Sequence, residues 1–216
     1  MKRLPQPWFP IVLACASIIL FGSTTLAQQK ESIGKVTALQ GKATVLHKGS
    51  AKSEPLMTQS PLYQEDTIET DVASKIKITF VDGTVLSLGE KGVLEITKFV
   101  YSPQRKTQIS RLTIAVGLFR AVVEKLLPVA KFEVATTTTV AAIRGTDWMG
   151  EVKPDSTAMV VLKGKVAIAN FYSDTRGHVT LTEGMGTTVN ANQPPTTPNK
   201  WGEARINALM KATALP

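Results

Sequence analysis

Ser74-Lys-Ile-Lys-Ile-Thr-Phe-Val-Asp-Gly-Thr-Val-Leu-Ser-Leu88 is the stretch from which the fold can be read. Ile76, Ile78 and Phe80 recur at every second position, with Lys75, Lys77 and Thr79 between them. A β-strand sends successive side chains to opposite faces, so this pattern marks one face as core and the other as wet. Asp82-Gly83 then reverses the chain, a pair suited to a tight type I′ turn, whose two central residues both need positive φ. Val85 to Leu88 returns as a second strand.

Working outward, Asp66-Thr-Ile-Glu-Thr70 leads into this hairpin, and Leu94 with Ile96 makes another short strand after it. Tyr101 to Thr107 reads as a polar loop, and Leu112, Ile114 and Val116 alternate again before Gly117. Leu118 to Leu127 fits a strand face or a helical stripe and is read as strand. Gly34-Lys-Val-Thr-Ala-Leu-Gln40, Gly41-Lys-Ala-Thr-Val-Leu-His47 and Gly164-Lys-Val-Ala-Ile-Ala-Asn170 share one pattern, a glycine turn feeding a short strand, which fits a weakly repeating stack or turn chemistry reused.

Phe132, Val134 and Thr136 alternate, and the β-branched run to Val140 continues the strand preference. The pattern breaks at Arg144-Gly145-Thr146-Asp147-Trp148. An unbroken strand would put Arg144 on one face and Asp147 on the other; a bulge at Gly145 would bring them together, so the expectation is an Arg144–Asp147 pair with a structural role ahead of a recognition role. Ala158 to Leu162 is apolar at every position and so central, with Val166 to Ala169 expected to pair with it across Lys163-Gly164. Val179 to Leu181 and Thr187 to Val189 complete the β-region. Residues 191–199, rich in Pro and Thr, read as a linker, and 200–216 as a short helix offering Trp201, Ile206, Leu209 and Met210, placed as a lid over an open end or edge of the sheet or, alternatively, as a docking tail.

Length and composition set the bounds. The 216 residues suit one ordinary domain. Lys2 and Arg3, the apolar run Trp8 to Phe21 and the small-residue ending Thr25-Leu26-Ala27 mark residues 1–27 as a signal peptide, cleaved after Ala27 to release a periplasmic or secreted chain. An uncleaved anchor and lipidation at Cys15 are the alternatives. Cys15 is the sole cysteine, so cleavage leaves neither a disulfide nor a thiol nucleophile. Losing Lys2 and Arg3 leaves 23 basic against 17 acidic residues, a balance of +6 that favours anionic neighbours: an envelope protein or an anionic envelope polymer, with nucleic acid and a membrane span in the mature chain not expected.

Residues that carry chemistry are sparse. His47 and His178 are the only histidines, neither in metal-ligand spacing, and no nucleophile elbow, phosphate loop or zinc-protease helix occurs, so no cofactor is expected. Asp66, Asp82 and Asp147 could assemble a carboxylate pair in space; turn-forming roles account for the first two.

Asp66-x-Ile68-x-Thr70-x-x-x-Ser74-x-x-x-Ile78-x-Phe80-x-Asp82-Gly83-Thr84-x-Leu86-x-Leu88, then Leu94-x-Ile96, resembles the FecR domain, the periplasmic domain of the iron-citrate transport regulator family. Gly117, Phe132-x-Val134-x-Thr136 and Arg144-Gly145-Thr146-Asp147-Trp148 are similar to its second half. The resemblance covers roughly residues 34 to 170 and implies an exported, non-catalytic β-domain for protein or ligand contact. Regulators of that family carry a sigma-factor-binding segment and a membrane span before the domain, where this sequence has a signal-like peptide. The expected fold is all-β, short strands in a solenoid-like roll or stack over residues 28–190 with a C-terminal helix, a two-sheet sandwich being the alternative. The expected function is periplasmic recognition or signalling, against an envelope scaffold that binds peptidoglycan or polysaccharide and a secreted carbohydrate-active enzyme.

Overall fold

A computed structural model describes residues 31–123, 126–171 and 177–215. The segment read as a signal peptide, with Cys15 and the cleavage point after Ala27, lies outside the described residues. Within them the chain forms β1 (Gly34–Gln40), β2 (Ala43–Leu46), β3 (Glu54–Pro55), β4 (Pro61–Leu62), β5 (Thr67–Thr70), β6 (Lys75–Phe80), β7 (Val85–Leu88), β8 (Val93–Ser102), β9 (Thr107–Val123), β10 (Val129–Thr136), β11 (Thr139–Ile143), β12 (Thr146–Val152), β13 (Ser156–Lys163), β14 (Lys165–Asn170), β15 (His178–Thr182), β16 (Met185–Asn190), β17 (Asn199–Lys200) and helix α1 (Glu203–Thr213).

The strands make two layers. The first runs β4-β1-β6-β7-β9-β12-β13-β16-β17. The second runs β3-β2-β5-β8-β9-β10-β11-β14-β15. β9 belongs to both: residues up to Val116 pair in the second layer and residues from Gly117 in the first. Gly117 sits at φ +111 with its backbone against Gly92, 2.6 Å from where a Cβ would be, so the shared strand bends where only glycine fits. Pairing is antiparallel apart from the parallel β9–β10 ladder. The all-β fold with a C-terminal helix expected from the sequence is what forms, and the chain winds between two layers, joining the roll to the two-sheet alternative.

One apolar core lies between the layers. Phe80 of the first stacks on Phe99 of the second, ring centroids 5.2 Å apart. Trp148, fully buried, meets Phe119 edge-on at 4.8 Å. The Thr136 to Val140 run is not one strand: it reverses between β10 and β11, and the Thr136 hydroxyl bonds Thr139 at 2.9 Å and Thr157 at 2.8 Å, while Thr138 bonds Thr157 and the Val189 carbonyl. A fully bonded hydroxyl cluster thereby fastens the second layer to the first, because buried hydroxyls must find partners.

Several local readings change. β13 and β14 do not pair; Gly164, at φ +92, turns the chain from the first layer into the second, as Gly41 does at +78. The shared Gly-Lys pattern at these two positions therefore marks corners between layers. β8 extends through Ser102, so the polar loop shortens to residues 103–106. The β6–β7 hairpin forms, but Gly83 alone of its central pair has positive φ, +85. Gly83 donates to the Phe80 carbonyl and Phe80 to the Thr84 carbonyl, a three-residue loop with glycine at the left-handed position. The Asp82 carboxylate decides this, accepting from the Thr84 N–H and the Gln108 side chain, both at 2.8 Å.

Residues 191–199 are held against β16: Thr196 and Thr188 bond through their backbones, and the Thr196 hydroxyl meets Thr187. α1 lies across the outer face of the first layer. Its Leu209, with Trp201, buries against Met149, Ala158 and Val160, and Ile206, Met210, Leu118 and Leu162 pack around them. The four apolar residues anticipated for the helix all serve this contact, so the lid covers a sheet face, not an end. β13 is apolar on both sides for the same reason: Met159 and Val161 face the core between layers, Ala158 and Val160 face the helix.

Candidate functional site

The corner Ile143-Arg144-Gly145-Thr146 carries the chain from β11 in the second layer to β12 in the first, with Gly145 at φ +60. Thr146, buried, ties this corner to the next by donating to the Lys165 carbonyl at 2.9 Å. Gly164 packs there too: a Cβ on it would lie 2.6 Å from the Gly145 oxygen. Trp148 points into the core with its indole N–H unpartnered, and so acts by packing.

The expected Arg144–Asp147 pair does not form. Arg144 is exposed and makes no ion pair among the described residues. Asp147 receives Arg120 in a forked contact, Nε–Oδ1 3.0 Å and Nη2–Oδ2 2.7 Å. β12 lies directly beside β9, so both residues stand on the outer face of one layer, whereas Arg144 sits beyond the corner, at the end of the other. The Arg120 pKa is raised, chiefly by the hydrogen bonds to Asp147, with burial opposing. Arg120 was missed because it lies far from Asp147 in sequence; its signal was the outward parity of Leu118, Arg120 and Val122.

The acids do not gather. Asp66 is fully buried, accepting from the Tyr63 N–H at 2.7 Å and facing the His47 Nδ1 at 2.9 Å, with the His47 ring edge-on to Tyr63. Asp82 holds its own turn and Gln108, and Asp147 holds Arg120. Thr70 is buried and spends its hydroxyl on the Gly89 carbonyl and the Gly92 N–H. Among the described residues no three His, Cys, Asp or Glu side chains group as metal ligands, and no helix is long and apolar enough to cross a membrane. A hollow of about 450 Å³ lies between α1 and the first layer, walled by Leu118, Ala208 and Ala212. Its Ser74 and Glu90 are already bonded to the Lys42 and Ala73 N–H groups, which leaves it a packing gap under the helix.

Among the described residues, the outer face of the second layer remains open. Register places Arg111, Glu133, Ala142, Ala167 and Thr180 in one row across β9, β10, β11, β14 and β15. In the next row Lys131, Arg144 and Lys165 come side by side, because each adjoins one member of the paired set Phe132, Ile143 and Val166. All three are exposed. Glu133 faces Arg111 at 2.8 Å and Lys131 at 3.0 Å. Burial alone would raise its pKa, but the bonds from these two cations outweigh it and hold the carboxyl below its usual range. The sequence hid this row because its cations come from β10, the β11–β12 corner and β14.

The FecR protein family model matches residues 66–167. Two crystal structures of a candidate anti-sigma factor from Parabacteroides distasonis ATCC 8503 share the fold, with TM-scores of 0.54 and 0.53 at 19% and 18% identity. The alignments cover 67% of this chain and 63% and 64% of those chains, just under two thirds of their length. No curated protein matches the chain.

Proposed function

We propose, from the premise that this chain carries a FecR domain, that it is an exported, non-catalytic module for protein recognition and signalling in the periplasm, released by cleavage after Ala27. The observation that carries the reading is the open outer face of the second layer, small-sided at Ala142 and Ala167 and flanked by charge, on a scaffold whose candidate acids Asp66, Asp82 and Asp147 are engaged in structure. Such a surface recognises by shape and charge, and the candidate acids Asp66, Asp82 and Asp147, each held by separate partners, do not pair with one another for hydrolysis. Anti-sigma action, the role given to the Parabacteroides protein, is one form the signalling would take.

The test is crosslinking of the chain in its own envelope, comparing the parent with Ala142→Arg/Ala167→Arg. A protein partner captured by the parent and lost in the variant supports the reading; a partner retained undiminished by the variant would sink it. Mass spectrometry of the same sample reads the amino terminus, and a chain beginning at Met1 would overturn the export step.

A second reading, a scaffold bound to an anionic envelope polymer, is favoured by the Lys131, Arg144 and Lys165 row. Recovery with a polysaccharide or peptidoglycan fraction, weakened by salt and by Arg144→Ala, would support it.

A further inference from the structure

We infer that β15 is the seat of a second copy of this chain, joined edge to edge as an antiparallel two-fold pair that extends the second layer across both molecules. The sheet edges of this fold are finished very differently. An unpaired strand edge is a template for another strand, and proteins blunt such edges with short strands, proline, charge or bulges. Three edges of this fold are blunted. β3 is two residues, Glu54-Pro55; β4 is two, Pro61-Leu62; β17 is two, Asn199-Lys200, directly after Pro198. Where β1 runs on past β4, a bulge between Val36 and Ala38 breaks it.

β15 itself carries none of these devices; Pro194 and Pro195 pack against Gly177, just before the strand begins. It is five residues, His178-Val-Thr-Leu-Thr182, without proline, lysine or a carboxylate. One side pairs with β14 from Lys165 to Ala169, and among the described residues β15 forms no second ladder. Val179 and Thr180 are β-branched, the residue type a pleated ladder prefers.

The strand also complements itself. A two-fold axis at Thr180 sets it against the partner's Thr180, Val179 against the partner's Leu181, and His178 against the partner's Thr182. Threonine thus meets threonine on the outer side and apolar meets apolar on the inner side, both favourable cross-strand pairs, and no like charges are opposed. A homodimer with closed symmetry uses one patch on both subunits in this way.

The test places charge on the axis. Thr180 is exposed on the outer face, so Thr180→Lys and Thr180→Glu should each melt with the parent. Sedimentation of the purified chain should show a concentration-dependent dimer for the parent and at least a tenfold weaker dimer for either variant, because each opposes its own charge across the axis. Mixing the Lys and Glu variants should restore a one-to-one dimer. A parent that stays monomeric up to about 1 mM, beyond which association is too weak to matter, overturns the inference. So do a dimer indifferent to both variants and a mixture that does not reassociate. Each of these leaves the recognition reading standing, since that rests on Ala142 and Ala167 and not on strand pairing at this edge.

Discussion

The two layers turn opposite faces to the outside, and the contrast between those faces explains where the helix goes. On β9, β12 and β13 of the first layer the outward positions include Leu118, Met149, Ala158, Val160 and Leu162, and α1 with Trp201 closes over these. On β11 and β14 of the second layer, outward positions include Ala142, Lys165 and Ala167, all exposed. Large apolar side chains give a helix enough buried area to offset the cost of ordering it; alanine and lysine do not. Lysines on the first layer finish the seat: Lys75 and Lys77 donate to the Lys211 and Leu215 carbonyls at 2.6 and 2.7 Å, where a helix end leaves carbonyls unpaired.

The sharpest way to break this comparison is to put the same charge on both faces. Val160→Asp buries an unpartnered carboxylate under α1 and should cost about 3 to 5 kcal/mol. Ala167→Asp, on the open face, should stay within about 0.5 kcal/mol. Urea unfolding of both variants decides it; equal losses would mean that the helix does not seal the first face.

A smaller effect separates the ion pairs. Arg120 and Asp147 are 36% and 19% exposed at their side chains, so a double-mutant cycle should return a coupling of about 0 to 1 kcal/mol. The same cycle between Arg144 and Asp147 should return none, and Arg144→Ala should leave stability unchanged within about 0.5 kcal/mol. A measurable Arg144–Asp147 coupling would restore the pairing expected from their closeness in sequence.

Glu133 gives the smallest signal, through pH. Its folded pKa is below the ordinary value, so its contribution is fully present above the unfolded carboxylate value, about 4.3, and is lost as pH falls through the folded pKa. Relative to the parent, Glu133→Gln should lose about 1 kcal/mol or less at neutral pH, and the two should converge as pH falls below about 4. A gap that persists into acid would show that the glutamate acts by packing.

The sequence by itself determined the strands, because alternation is a local consequence of the pleat: Ile76, Ile78 and Phe80 are buried where the period of two put them. It also determined that β13 is covered on both sides, and which residues of α1 make the cover, since apolarity at every position, or along a helical stripe, is itself a statement about burial. Tertiary structure alone decided which strands are neighbours. Val166 to Ala169 could not be kept from its apparent partner by any local rule; Gly164 turns it into the other layer because the corner packs against Gly145. By the same route Asp147 received Arg120 in place of Arg144, and Lys131, Arg144 and Lys165 became a row. A side chain's partner across a sheet is set by strand order and register, and these are fixed by how the whole core closes, not by distance along the chain.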